Sequence, residues 1–120
     1  MLVTVVTVTI WILFAASELD SSKLIGHWAR TDGSYVLELN SPAQDGQLKA
    51  LYFNPRSINV SRAEWKQQDG ALCVFVELRD EGYPGSTYTL AYQPEKDQLM
   101  GTYFQAVIGQ HFEVTFKKKK

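Results

Sequence analysis

The chain has 120 residues, the size of one domain, which leaves too few residues for two separate cores. Hydrophobic residues make up 45% of the chain and charged residues 21%, a globular composition that excludes a disordered or fibrous protein. Twelve basic and thirteen acidic side chains give a formal net charge of -1, so net charge provides no basis for binding nucleic acid.

The N-terminal segment is apolar. Residues 2–16 contain only apolar side chains and threonine, and polar character begins at Ser17 and Glu18. This pattern predicts a signal peptide over residues 1–17, with cleavage near Ser17, and a periplasmic or secreted location. A helix of about 15 residues spans about 22 Å, short of the roughly 30 Å hydrocarbon core, which disfavours a stable membrane anchor. Because no lysine or arginine precedes the apolar stretch, an uncleaved anchor is the alternative.

The sequence of residues 18–120 predicts a single all-β domain. Residues 18–23 are mostly polar and are expected to form one helical turn. The rest of the chain alternates apolar and polar side chains in short segments bounded by turn residues, as β-strands do. We predict eight strands, at residues 25–30, 34–40, 47–53, 58–66, 71–79, 86–93, 98–106 and 110–117.

Short connections separate these strands. Asp32-Gly33, Asp45-Gly46 and Asp69-Gly70 are hairpin dipeptides that tolerate positive φ, so each strand should pair with the next one. A sheet of antiparallel strands loses its open edges when it closes on itself, and with eight strands the interior fits side chains or one small ligand. The sequence therefore predicts an eight-stranded antiparallel up-and-down (meander) β-barrel.

Two of the predicted strands are apolar on both faces. In the strand at residues 71–79, for example, Leu72 and Val74 alternate with Cys73 and Phe75. The outward side chains are either ordinary exposed aliphatics or part of an interface between barrels. We expect a homodimer or a larger homo-oligomer. Cys73 is the single cysteine, so no disulfide within the chain adds to its stability.

The odd-numbered connections of such a meander emerge together at one end of the barrel, here called the mouth. The longest of them is expected at residues 80–85. Loops on a rigid barrel commonly carry recognition residues, which makes Arg30, Ser34, Asn54 and Tyr83 candidate ligand-binding residues. Arg30 either anchors an anionic group or hydrogen-bonds loop carbonyls. Tyr83 either stacks on a ligand or packs over the mouth, and Asn54 either contacts a ligand or satisfies local backbone.

One triplet resembles a family signature. Gly26-His27-Trp28 is similar to the G-x-W motif of lipocalins and the related avidins, which belong to the calycin group of antiparallel barrels. Gly33-Ser34-Tyr35, then Asp45-Gly46-Gln47-Leu48, then Tyr52 follow the order and approximate spacing of the first three avidin strands. The resemblance covers about a third of residues 18–120 and implies a calycin-like barrel.

The resemblance also implies roles for individual residues. Ser34 and Tyr52 match avidin positions that help bind the biotin head group, and Asn54 falls where a further polar contact would lie. The chain departs from avidins at Arg30, where they have asparagine, and its later strands lack the tryptophans that surround the biotin ring. Biotin is therefore not the expected ligand. Trp28 is expected to pack near the base of the barrel.

No residue pattern supports catalysis, a cofactor or a metal ion. Asp80 and Glu81 are adjacent, so their side chains should point apart. His27 and His111 do not have metal-ligand spacing, and the chain has neither a Gly-rich phosphate loop nor a serine nucleophile elbow. We therefore expect a protein that is not an enzyme and needs no cofactor.

Two functions fit these observations. The first is an exported, small-ligand-binding calycin-like barrel that holds a small polar or amphipathic molecule at its mouth. The candidate ligand-binding residues are Arg30, Ser34, Tyr52, Asn54 and Tyr83. The alternative is a non-catalytic protein–protein interaction module with a filled barrel interior. The volume of the interior cavity distinguishes the two, because only the first function needs an open one.

Overall fold

The computed structural model describes residues 3–7 and 18–120. The signal-peptide prediction depends mainly on residues 1–2 and 8–17, which lie outside the described residues. None of the helices within residues 3–7 and 18–120 has the length and hydropathy that crossing a bilayer requires.

The fold is a nearly closed antiparallel up-and-down barrel, as the sequence predicts. A 3-10 turn at Ser21–Leu24 precedes the strands, close to the predicted helical turn. The strands are β1 (Gly26–Arg30), β2 (Val36–Asn40), β3 (Lys49–Phe53), β4 (Ser57–Ile58), β5 (Val60–Gln68), β6 (Ala71–Asp80), β7 (Tyr83–Gln93), β8 (Gln98–Gln105) and β9 (Gln110–Lys118). Their order in the sheet is β4-β3-β2-β1-β9-β8-β7-β6-β5. The first and last strands of the chain, β1 and β9, therefore pair with each other, and this pairing curls the sheet into a barrel.

Residues 18–120 form nine strands where eight were predicted, because the predicted fourth strand is interrupted at Asn59. The backbone N–H of Asn59 donates to an Asp80 carboxylate oxygen at 2.7 Å, and its side-chain amide donates to the backbone oxygen of Arg79 at 3.1 Å. These bonds take Asn59 out of the ladder. Ile58 therefore pairs with β3, whereas Val60 begins a strand that pairs with β6.

The interruption leaves a seam between β3 and β5. Gln47 and Glu64 form an isolated bridge across it. The Leu48 N–H donates to the Ala63 oxygen at 3.3 Å, and the Trp65 N–H donates to the Gly46 oxygen at 3.0 Å. The seam is thus joined at one end only, and this makes the barrel nearly rather than fully closed.

The interior of the barrel is filled by inward-facing side chains. Along β6 the buried residues are every second one, as period-two alternation requires: Leu72, Val74, Val76 and Leu78. Trp28, Tyr52, Tyr88 and Phe116 have no exposed surface at all. Burial of this apolar surface supplies the main stabilisation of the fold.

The two ends of the barrel differ. The base, formed by connections 41–48, 69–70 and 94–97, is covered by the 3-10 turn, whose Leu24 is completely buried. The Trp28 indole N–H donates to the Leu24 oxygen at 2.9 Å, which holds this cover in place. The mouth, formed by connections 31–35, 54–56, 81–82 and 106–109, has no such cover among the described residues.

The connection predicted at residues 80–85 is much shorter in the structure. β6 runs to Asp80 and β7 begins at Tyr83, so only Glu81 and Gly82 lie between them. Gly82 takes a φ of 82°, which allows the tight turn. The pairing register shifts between Leu78 and Arg79, and an irregularity of this kind lets a proline, here Pro84, lie within a strand.

Candidate functional site

Arg30 lies at the inner edge of the mouth, at the end of β1. Its side chain is only 10% exposed. Its Nε and Nη2 donate to the two carboxylate oxygens of Asp32 at 2.6 and 2.8 Å, and its Nη1 donates to the Tyr88 hydroxyl at 3.0 Å. The guanidinium thus bonds a carboxylate of its own chain, rather than the loop carbonyls or ligand anion considered from the sequence.

The charges of this pair are mutually stabilised. Burial lowers the pKa of Arg30, but the bonds to Asp32 and Tyr88 outweigh burial and raise its pKa above the ordinary value. The hydrogen bonds from Arg30 lower the pKa of Asp32. Both groups are therefore ionised at neutral pH, and the carboxylate occupies the place where an anionic ligand would otherwise bind the guanidinium.

Behind Arg30, two buried tyrosines fill the centre of the barrel. The hydroxyls of Tyr52 and Tyr88 are 2.8 Å apart and share a hydrogen bond. The Tyr88 ring stacks on Tyr103 with the centroids 4.5 Å apart and meets Phe116 edge-on at 5.3 Å. No empty space for a ligand separates these rings, because their spacings are those of directly packed aromatic side chains.

Burial also sets the protonation of these tyrosines. It raises the pKa of Tyr88 to about 12, although the hydrogen bonds with Tyr52 and Arg30 act in the opposite direction. Burial raises the pKa of Tyr52 further, and the bond with Tyr88 adds to the effect. Both hydroxyls stay neutral at ordinary pH and serve as hydrogen-bonding groups, not as bases.

A second layer of residues lies towards the outside of the mouth. The Asn54 amide donates to the Tyr83 hydroxyl at 2.5 Å. The Tyr83 ring contacts Tyr52 edge-on at 6.3 Å, and Tyr35 lies roughly parallel to Tyr52 at 6.4 Å. The Arg30 guanidinium lies 4.0 Å from the centre of the Tyr35 ring, a cation–π contact. The mouth is therefore lined by aromatic faces around one fixed arginine.

The structure brings together four of the five predicted site residues. Arg30, Tyr52, Asn54 and Tyr83 belong to one network of hydrogen bonds and ring contacts. Ser34 does not join them, since it is exposed in the 31–35 turn and no contact among the described residues ties it to the network. Its role in ligand binding stays a prediction.

Three tyrosines of the site were not among the predicted residues. Tyr35, Tyr88 and Tyr103 all face inward at the mouth. The signal for two of them was present in the alternation, because Tyr35 lies two residues before buried Leu37 and Tyr88 two residues before buried Leu90. Side chains two apart along a strand lie on the same face.

The rim of the mouth exposes apolar side chains on the connection between β8 and β9. Val107 is 59% exposed, Ile108 is 51% exposed, and Phe112 near the start of β9 is 41% exposed. The hairpin that carries them is tied to β7, because the Ala106 N–H donates to the buried Ser86 hydroxyl at 3.1 Å. This apolar rim is held on a fixed support.

Two grooves lie along the seam. One groove of about 470 Å³ is lined by residues 45–47 and by outward side chains of β5 to β7, including Arg62, Cys73 and Phe75. A smaller groove of about 270 Å³ lies between β3 and β5, beside Leu48 and Val60. Both grooves lie on the outside of the barrel wall.

Among the residues described, no three histidine, cysteine, aspartate or glutamate side chains cluster so that they could hold a metal ion. No family model, curated protein or solved structure matches this chain. Its function is therefore inferred from its own geometry.

Proposed function

We propose that this protein is a non-catalytic binding module that docks an apolar segment of a partner protein on its mouth. The observation that carries this proposal is the filled centre of the barrel. Tyr52, Tyr88 and Phe116 occupy it with no exposed surface, and the tyrosine hydroxyls bond each other and Arg30. The partner segment therefore binds on the surface of the mouth and not inside the barrel.

The composition of that surface resembles a protein interface. Tyrosine and arginine are the residues that most often anchor protein complexes, and here Tyr35, Tyr83 and Arg30 are held in fixed orientations. Val107 and Ile108 lie exposed on another connection of the same mouth. Burying the exposed half of each aliphatic side chain contributes on the order of 1 kcal/mol. A partner segment that covers both side chains and the neighbouring rings gains most of its affinity there.

The test is site-specific photocrosslinking in the protein's own host. A photoreactive phenylalanine analogue replaces Ile108 at the rim or, as a control, Met100, which is 37% exposed on the outer face of β8 near the base. We expect a discrete crosslink to a different polypeptide at position 108 and none at position 100. The crosslink at 108 should weaken when Val107→Ser is added, without a change in melting temperature.

Other crosslinking results would contradict the proposal. Equal labelling at both positions would mean that the rim is not a specific surface. A crosslink at position 108 only to a second copy of this chain would mean that the mouth binds another copy of the chain and not a different protein.

The groove of about 470 Å³ favours a second candidate, the binding of a small polar or amphipathic molecule at the seam. Its volume lies within the roughly 300 to 1,000 Å³ of typical ligand sites. Phe75 offers an apolar surface and Arg62 a cation, with the guanidinium 4.7 Å from the ring centre. Native mass spectrometry would then show an adduct that Phe75→Ala removes and that Val107→Ser with Ile108→Ser leaves in place.

We also infer that the protein is an exported, calycin-like barrel. The Gly26-His27-Trp28 triplet supports this inference, together with the position of buried Trp28 against the covered base. Export predicts that the mature protein begins near residue 18. The N-terminal residue of the protein isolated from its host, read by mass spectrometry, tests this, and a retained Met1 would contradict it.

A further inference from the structure

The half of β9 that lies towards the mouth has an open edge. β9 pairs with β8 from Gln110 to Lys117, but it pairs with β1 only between Phe116 and Lys118. One further bond, from the Thr31 N–H to the Thr115 oxygen at 2.9 Å, ends that contact. Within the described chain, no backbone hydrogen bond joins residues 110–114 to the turn that follows β1.

The direction of the backbone groups on this edge follows from the ladder. In an antiparallel pair, alternate residues point both their N–H and C=O groups to the same side. Because Thr115 points its carbonyl to β1, Glu113 and His111 point theirs to the open edge. Their side chains lie on the outer face of the sheet, and the Phe112 side chain lies on the inner face. All three residues are exposed.

The sequence of this edge is complementary to itself. If two copies of residues 110–114 pair antiparallel about a two-fold axis at Phe112, His111 of each copy lies opposite Glu113 of the other. An imidazole N–H of one copy then faces a carboxylate of the other at both places and can donate a hydrogen bond to it, and polar cross-strand pairs of this kind stabilise a sheet. The two Phe112 rings then meet at the axis, where a non-hydrogen-bonded pair brings side chains closest together.

We propose that a second copy of this chain binds at this edge, so that the two β9 strands form a continuous sheet across an isologous interface. An uncovered edge strand with an exposed aromatic residue is a site that proteins normally cover. Residues 110–114 carry no lysine or proline that would block such pairing. The pairing is limited to these five residues of each copy, because the Thr31 N–H already donates to the Thr115 oxygen.

A charge-swap series tests the partner and the register together. The protein is produced in its host with its full coding sequence, and sedimentation equilibrium measures the dimer dissociation constant. Glu113→Lys removes the carboxylate that accepts from His111 and places a lysine ammonium opposite the imidazole, so it should weaken the dimer by roughly tenfold or more. Adding His111→Glu places a carboxylate opposite that lysine and should restore the dimer. Glu95→Lys, in the exposed base turn, is the matched control and should have no effect.

Amide hydrogen exchange gives a second and independent measurement. The N–H groups of His111 and Glu113 should be protected at high protein concentration and should lose that protection on dilution. A wild-type protein that is monomeric at every concentration would overturn the proposal. So would a dimer that Glu113→Lys leaves intact, or one that the double variant fails to restore while its melting temperature stays that of the wild type.

Discussion

Replacing Tyr88 by phenylalanine removes one oxygen atom from the centre of the barrel and leaves the ring packing in place. The Tyr88 hydroxyl accepts a hydrogen bond from Arg30 at 3.0 Å and shares another with Tyr52 at 2.8 Å. In the variant the Tyr52 hydroxyl stays completely buried without its described partner. Arg30 also loses one acceptor, although it keeps both bonds to Asp32.

The expected cost of Tyr88→Phe is about 2 kcal/mol, because a buried polar group left unpaired costs about 1 to 3 kcal/mol. For a domain of this size that corresponds to a fall in melting temperature of roughly 8 to 16 °C. Tyr52→Phe should cost less, about 1 kcal/mol, because Tyr88 keeps its bond from Arg30. The double variant leaves no buried tyrosine hydroxyl without a partner. Its loss of stability should therefore be about 1 kcal/mol less than the sum of the two single losses.

Urea unfolding followed by tryptophan fluorescence measures these free energies, and the three variants with the wild type complete a double-mutant cycle. An equal dependence on urea concentration in all four proteins confirms that only stability has changed. If the cost of the double variant equals the sum of the two single costs to within about 0.3 kcal/mol, the reasoning is refuted, since the two hydroxyls then act independently. A cost of Tyr88→Phe near zero would mean that water satisfies them and that the centre of the barrel is not closed.

Two further predictions concern pH and backbone packing. The pKa of Tyr88 is raised to about 12 from 10.0, so its contribution is fully present below pH 10 and is lost as the pH rises from 10 to 12. Tyr88 alone accounts for a loss of about 3 kcal/mol, and the raised pKa values of Tyr52 and Tyr92 act in the same direction. Urea unfolding across this range should therefore show a loss of at least that size, and an unchanged stability would contradict it. A Cβ at Gly101 would overlap the backbone oxygen of Thr89, so Gly101→Ala should destabilise the barrel by about 3 kcal/mol or more. Gly109→Ala, with a φ of 64° but open space around it, should cost only about 1 kcal/mol, and equal melting temperatures for the two variants would be inconsistent with this packing.

Much of the barrel follows from local sequence signals. Period-two alternation locates the long strands, and Asp69-Gly70 is a two-residue hairpin turn in which both residues have positive φ, 53° and 75°. Such turns depend on residues that tolerate this conformation, so they can be identified without tertiary information. The prediction that successive antiparallel strands close into a barrel is confirmed by the pairing of β1 with β9.

The break in the predicted fourth strand depended on tertiary contacts. Asn59 leaves the ladder because Asp80 and Arg79, about twenty residues away, offer hydrogen bonds to it. Pro84 lies within β7 because of a register shift opposite it. Neither feature is encoded in the residues adjacent to it, and alternation therefore could not reveal them.

The positions of some site residues could be predicted from the sequence, but their contacts depended on tertiary structure. Arg30 and Tyr83 could be assigned to the mouth by counting connections, but the bond between Arg30 and Asp32 depends on how the turn bends. The open edge of β9 arises because β1 has five residues and β9 has nine. That difference matters only once the two strands are known to be neighbours.

Native mass spectrometry of the protein isolated gently from its own compartment tests the filled-barrel account most directly. The account predicts that no small molecule is carried in the interior and that a partner polypeptide remains bound, which the Val107→Ser, Ile108→Ser double variant loses. A small-molecule adduct that survives this double variant but disappears in Tyr52→Phe or Arg30→Ala would contradict it, because it would place a ligand where the structure places the paired tyrosines.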